Sequence, residues 1–292
     1  RIPWSVTFIS FGLVPGKTMM KTLIAASCLV SATLGFTPLP SFSARNAVQS
    51  TTTSLEAASK VFLAGGSQEY CLSRILAEKI AKTGKEVVVM AKTDDFLDMM
   101  NEVEGVTAVR ADALVRKDIE DAMDGCDAVI SMLGSGENTK MQYPNLEQLD
   151  YNGNAAVIES AGILGITRTV LVTTIGAGDT ADAPPPQVIK ELKTMFAAKT
   201  KVEVMLADTY TNMDWTILRP GGLTMGGGTG NAILTERTDI CGSLERGDLA
   251  DIIIDLLDNP KSYKKTLSVV DPTPLAIVGN TEAYEGMEAS LD

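Results

Sequence analysis

The sequence predicts an α/β protein built on a single doubly wound parallel sheet with helices on both faces. Three observations carry that prediction. Apolar runs of four to six residues alternate with segments of helical periodicity. The runs are nearly continuous in apolar residues, which marks strands covered on both faces. No Pro/Gly/Ser-rich linker divides residues 58–271, so the alternation belongs to one domain.

Lys60-Val61-Phe62-Leu63-Ala64-Gly65 opens this body as a strand that ends in glycine. Leu72, Ile75, Leu76, Ile80 and Ala81 then recur on one helical face, and Lys82-Thr83-Gly84 stops that helix. Glu86 to Met90, Val106 to Val109, Asp127 to Met132 and Thr169 to Val172 are the next strands. Asp214 to Leu218 is a sixth, broken by Pro220. Helices are expected at about 117–124, 145–164, 187–210 and 247–258. Residues 221–245 are Gly-rich and are expected to form an irregular insert. Strand-first order with right-handed crossovers puts the ligand crevice at the carboxyl ends of the strands.

Composition removes several function classes. The formal net charge is −12, and such a surface repels phosphate backbones and anionic lipid, so no nucleic-acid role is expected. The body has no run of about 18 apolar residues, so no membrane-spanning helix is expected. Histidine is absent, which excludes a Ser-His-Asp triad, a His general base and a His-ligated metal. The four cysteines are widely spaced and suggest neither a disulfide framework nor a zinc site. Residues 272–292 contain four acids and no Lys or Arg, and are expected to be an acidic, mobile tail.

The first 57 residues have a different character. Residues 1–18 precede Met19 and look like translated leader sequence or an open 5′ end. Met19-Met20-Lys21 and the apolar stretch Thr22 to Leu34 form a signal peptide over 19–35. Phe36 then opens a Ser/Thr-rich stretch that carries Arg45 and no acid before Glu56. That is transit-peptide composition, assigned to residues 36–57. The order resembles the bipartite plastid presequence of diatoms and related algae, and implies delivery to the plastid stroma. Ordinary secretion with a disordered N-terminus is the other reading.

Four stretches of the body follow one another in a familiar order. They are the strand and Gly turn at 60–71, Asp150-Tyr151-Asn152-Gly153-Asn154, Val170 to Ala177, and Trp215 to Gly222; Arg246-Gly247-Asp248-Leu249-Ala250 closes the series. Together they resemble the atypical short-chain dehydrogenases/reductases, a Rossmann-like NAD(P)-binding group that includes NmrA-like and biliverdin-reductase-B-like proteins. The resemblance implies NADP(H) as cofactor. A Gly turn after the first strand lets backbone N–H groups approach a pyrophosphate at a helix N-terminus. In the family's Gly-x-x-Gly-x-x-Gly frame this chain places Gly65, Gln68 and Cys71, with Glu69 adding a negative charge. Ser67 can donate a hydrogen bond to the phosphates. The segment is therefore either a working dinucleotide loop, weakened or not, or only a structural turn. Lys92 after the second strand suits a 2′-phosphate, where an acid would suit the ribose of NAD; a solvated loop lysine is the other reading. Asp112, Leu133 and Gly134 resemble the family's adenine-side and ribose-side contacts, and Pro220 borders the same site.

The resemblance also implies a Tyr four residues before a Lys, with the Lys lowering the Tyr pKa. Lys199 is the matching lysine, but Met195 and Phe196 stand where the Tyr would be. Thr174, or Thr173, takes the usual Ser place and can hydrogen-bond a carbonyl. Tyr151 is a further candidate acid, or simply packing on its helix. Two functions follow. One is a plastid NADP(H)-binding oxidoreductase acting on a small molecule without Tyr–Lys chemistry. The other is a catalytically eroded pseudo-enzyme that serves as an assembly factor or bound subunit of a photosynthetic complex.

Overall fold

The computed structural model describes residues 57–66, 71–135 and 148–273. All of them belong to the second of two units into which the chain divides, residues 53–292. The leader, Ser67, Gln68, Glu69 and nearly all of the acidic tail lie outside the described residues.

Strand β1 (Lys60–Ala64) leads into helix α1 (Leu72–Lys82), and β2 (Glu86–Ala91) into α2 (Asp94–Asn101). Next come β3 (Val106–Arg110), α3 (Arg116–Met123) and β4 (Ala128–Ser131). A π-helical turn over Gln148–Gly153 runs into α4 (Asn154–Ile163), followed by β5 (Arg168–Val172), α5 (Pro186–Thr209) and β6 (Asp214–Pro220). Short strands β7 (Gly222–Thr224), β8 (Ile233–Thr235) and β9 (Ser243–Glu245) precede α6 (Arg246–Leu257) and β10 (Lys265–Val270).

Eight strands form one sheet in the order β3-β2-β1-β4-β5-β6-β10-β8. Every pairing is parallel except β10 with β8. The order reverses direction at β1, which lies between β2 and β4, so a crevice opens beyond the carboxyl ends of β1 and β4.

The pleat explains how both faces are filled. Val61 and Leu63 join Leu76, Ile80, Phe96, Leu249 and Ile253 in one apolar layer, with α1, α2 and α6. Phe62 and Ala64 point the other way, into a layer with Ile119, Val157, Ile158, Val202 and Leu206 from α3, α4 and α5. Successive side chains of β1 thus feed opposite cores, as a strand buried on both sides requires.

The structure adds elements to the sequence reading. Helix α2, eight residues long, was not among the expected helices; the Thr93 side chain caps it by accepting from the Phe96 N–H at 3.4 Å. Strand β10 mixes polar and apolar residues, yet it pairs with β6 from Lys265↔Thr216 to Val269↔Pro220. The expected irregular insert contains β7, β8 and β9; β7 and β9 pair with each other. Pro220 closes β6 instead of breaking it: it is the strand's last residue, and the Gly221 N–H donates to the Val269 carbonyl at 2.9 Å.

Candidate cofactor and substrate site

The turn after β1 is built for close backbone approach. Gly65 and Gly66 have φ of +133° and +97°, values that L side chains rarely adopt. A Cβ on Gly65 would lie 2.9 Å from the backbone carbonyl carbon of Met132, and one on Gly66 would lie 2.8 Å from Cys71 Sγ. The buried Ser73 hydroxyl donates to the Gly65 carbonyl, tying the turn to the first turn of α1. Cys71 occupies the α1 N-cap position without a side-chain cap. The turn lies at the switch point and is packed on Met132, Cys71 and Ser73, so only glycine fits its two positions.

Lys92 follows β2 and Asp112 follows β3, so adjacent strand ends bring them together. Lys92 Nζ lies 2.9 Å from Asp112 Oδ2, with both side chains about one-third exposed. The Asp112 carboxylate also accepts from the Leu114 N–H at 3.0 Å, which shapes the loop after β3. Asp94, at the start of α2, pairs with Arg110.

Beyond β4, Leu133 is buried and Gly134 is exposed. The Leu133 carbonyl accepts from Lys199 Nζ and, at 3.0 Å, from Asn154 Nδ2. Lys199 on α5 is 4 % exposed and lies 3.4 Å from the fully buried Asp150. Burial pushes the Lys199 ammonium below its ordinary pKa, and Asp150 opposes that shift. Asp150 also receives the Ser135 N–H at 3.3 Å and the Ser135 hydroxyl. Asn154 accepts from the Ser131 hydroxyl at 2.7 Å. Loop, π-helical turn and α5 are thus joined by one polar network with no exposed charged member.

The ends of β5 and β6 hold a second network. The Thr173 hydroxyl lies 2.6 Å from Glu203 Oε1, while Thr174 is half-buried, its hydroxyl 3.1 Å from the Ile175 carbonyl. Arg219 binds Glu203 through two nitrogens, at 3.1 and 2.8 Å, and reaches Asp179 with the third. Burial disfavours the Arg219 charge, but Glu203 and Asp179 outweigh it and raise its pKa. Lys199 and Glu203 lie four residues apart on α5, so two buried cations and two buried anions balance one another. Met195, one turn before Lys199, is half-buried. Phe196 packs on Gly176, where a Cβ would come within 2.5 Å of the ring. Tyr151 lies beneath Lys201, whose Nζ is 5.8 Å from the ring centroid. Among the described residues no group of three acids or cysteines could hold a metal ion.

A family model described as NAD(P)H-binding matches residues 72–260. The chain belongs to this NAD(P)H-binding family. The "uncharacterized sugar epimerase YhfK" of Bacillus subtilis is 30 % identical over 161 residues, which cover 55 % of this chain and 71 % of that protein. Among solved structures, ChuY of Escherichia coli O157:H7, described as an anaerobillin reductase, superposes with a TM-score of 0.64 at 24 % identity. That match covers 73 % of this chain and 97 % of ChuY. A short-chain dehydrogenase/reductase of Veillonella parvula in complex with NADP superposes with a TM-score of 0.55 at 14 % identity. It covers 73 % of this chain and 94 % of that one. These two likenesses establish a shared fold.

Within this family member, the sequence-predicted residues Gly65, Lys92, Asp112, Leu133, Gly134, Thr174, Lys199 and Pro220 all lie at or just beyond the carboxyl ends of β1 to β6 or on α5 beside them. Lys92 meets Asp112, and Lys199 meets the Leu133–Gly134 turn. Asp150, Asn154 and Arg219 lie in the family-like stretches but had no site role from sequence, and Ser135 and Glu203 had none either. A signal for three of them existed. Asp150 and Asn154 share a helical face at i, i+4, and Glu203 stands among Phe196, Val202 and Leu206 on the apolar side of α5.

Proposed function

We propose that the chain is an NADP(H)-binding oxidoreductase of the plastid stroma that acts on a small molecule without a Tyr–Lys couple. The observation that carries this reading is the Gly65–Gly66 turn at the switch point, with the cation Lys92 at the end of the neighbouring strand. The turn and the α1 N-terminus would hold the pyrophosphate, Lys92 the 2′-phosphate, and Asp112 the adenine side. Leu133, Gly134 and Pro220 would line the ribose and nicotinamide side. The cofactor, when bound, supplies the hydride. Thr174, the more open of the two threonines, would donate to a substrate carbonyl in exchange for the Ile175 carbonyl its hydroxyl meets at 3.1 Å. The family assignment, the reductase named ChuY and the NADP bound by the Veillonella protein support this direction. Among the described residues no helix is long and apolar enough to cross a membrane.

Calorimetric titration of the full chain tests the reading. NADPH should bind more tightly than NADH by about 1–3 kcal/mol, the worth of a charge-assisted contact. Lys92→Ala should erase the difference. Asp112→Asn should widen it, because the Asp112 carboxylate competes with the phosphate for Lys92. Equal affinities in the unmutated chain would defeat the 2′-phosphate assignment. If neither cofactor binds, the eroded pseudo-enzyme, held as a subunit or assembly factor of a photosynthetic complex, becomes the better reading.

The location rests on leader composition. A fluorescent protein fused to residues 19–60 should accumulate in the plastid of a diatom. Signal in the medium or retained in the endoplasmic reticulum would sink the stromal assignment.

A further inference from the structure

We propose that Asp150 and Lys199 are a positioning pair that pre-forms the Leu133–Ser135 turn as a rigid seat at the end of β4, with the Lys199 ammonium committed to that turn. The seat's use as a ribose contact rests on the NADP(H) reading above; its rigidity does not.

Three consecutive residues are held at both ends by one ion pair. At the first, the Leu133 carbonyl accepts from Lys199 Nζ and from Asn154 Nδ2, so both lone pairs of that oxygen are engaged. At the third, both donors of Ser135, its N–H and its hydroxyl, go to Asp150. Gly134 between them is exposed, and a Cβ there would lie 3.5 Å from Asp150 Oδ1 and 3.6 Å from Lys199 Nζ. The exposed backbone of the turn thus rests on the buried charges. Asn154 ties the pair to the sheet: its amide donates to the Asp150 carbonyl at 2.9 Å, and its oxygen accepts from Ser131, the last residue of β4.

The chemistry of the pair suits positioning. Asp150 is fully buried and Lys199 nearly so, and each is the other's charge partner. A buried ion pair contributes little net stability, because desolvation offsets attraction; in this fold its worth lies in the one turn geometry its partners hold. The arrangement comes from the fold. The π-helical turn carries Asp150 toward the end of β4, and the long helix α5 lays Lys199 against the same point. A lysine held in this way fixes a binding surface and has no tyrosine to assist, since Met195 stands one turn before it.

The test compares variants of the full chain. Asp150→Leu combined with Lys199→Met removes both charges and strands neither. It should stay folded with a melting temperature within a few degrees, yet bind NADPH at least about tenfold more weakly, because a seat no longer pre-formed must be ordered on binding. Lys199→Arg, which keeps a cation and donors for the Leu133 carbonyl, should recover most of that loss. Unchanged affinity in the double variant, or no recovery by arginine, overturns the proposal. Hydrogen exchange in the unmutated chain supplies an arm that needs neither folding of a variant nor cofactor binding. The Ser135 N–H should exchange about a hundredfold or more slowly than an exposed amide before any cofactor is added. Fast exchange there overturns the pre-formed seat. Slow exchange in a chain that fails to bind NADPH would instead refute the cofactor reading and leave the seat standing.

Discussion

Arg168→Met is expected to lower the unfolding free energy by about 3–5 kcal/mol, the cost of stripping partners from several buried groups at once. Arg168 opens β5 at the amino ends of the strands and is 6 % exposed. Its guanidinium donates to the carbonyls of Leu257 at 2.8 Å, Leu256 at 2.6 Å and Asp214 at 2.7 Å. It also donates to the hydroxyls of Thr216 at 2.9 Å and Ser262 at 3.2 Å. Leu256 and Leu257 end α6, and the Leu256 carbonyl also accepts from the Asn259 N–H at 3.2 Å and the Ser262 hydroxyl at 3.1 Å. One side chain therefore caps α6, bridges β5 to β6 and lies 4.7 Å from the centroid of the Tyr263 ring. Burial pulls its pKa down to about 10, so it remains charged at neutral pH. Methionine fills similar volume and supplies no donor. Urea unfolding with an unchanged m-value is the measurement. A loss under about 1 kcal/mol would show that the carbonyls find other partners. Arg168 lies at the end of the sheet opposite the crevice, so NADPH affinity per folded molecule should not change.

The parts of the fold that were legible in the sequence are those that physics writes locally. β1, β2, β4 and β5 have apolar centres because helices cover both their faces, and α1 shows its period because one side faces the sheet. β10 was not legible. Its Lys265, Thr266 and Ser268 interrupt the apolar run, and only the adjacency of β6 makes it a strand. β7 and β9 were not legible because three-residue strands are made by their partners. The site divides in the same way. Gly65, Lys92 and Thr174 follow from strand ends. The pairing of Lys199 with Asp150 does not, because it depends on how the π-helical turn faces α5, a non-local register. Buried charges on an apolar helical face, Lys199 and Glu203, are the local trace of that pairing on α5.

Turnover is the other place where a large effect is expected. With NADPH saturating, reduction of simple aldehydes and ketones by the unmutated chain should run about 10²–10⁴-fold below that of a Tyr–Lys enzyme, the usual contribution of a positioned general acid. The chain has no histidine to substitute, and Met195 cannot transfer a proton. Tyr151 packs with the apolar layer between α4 and α5, under the Lys201 side chain. Lys199 keeps its ammonium on the Leu133 carbonyl and beside Asp150, so it is not free to depress a neighbouring phenol. Met195→Tyr alone should therefore restore little, in contrast to what spacing on α5 would suggest. A tyrosine at that position would need Lys199 released, and releasing it by removing Asp150 would leave an unpaired buried cation and loosen the turn beyond β4. Substrates that accept hydride without enzyme-assisted protonation should escape this limit, because water can deliver the proton after transfer, and they are the ones to screen. Steady-state assays of unmutated and Met195→Tyr chains with a panel of both kinds decide the matter. A kcat on the order of 1 s⁻¹, within the ordinary enzyme range, for a simple ketone in the unmutated chain would mean that another residue supplies the proton, and Thr174 would be the first to replace.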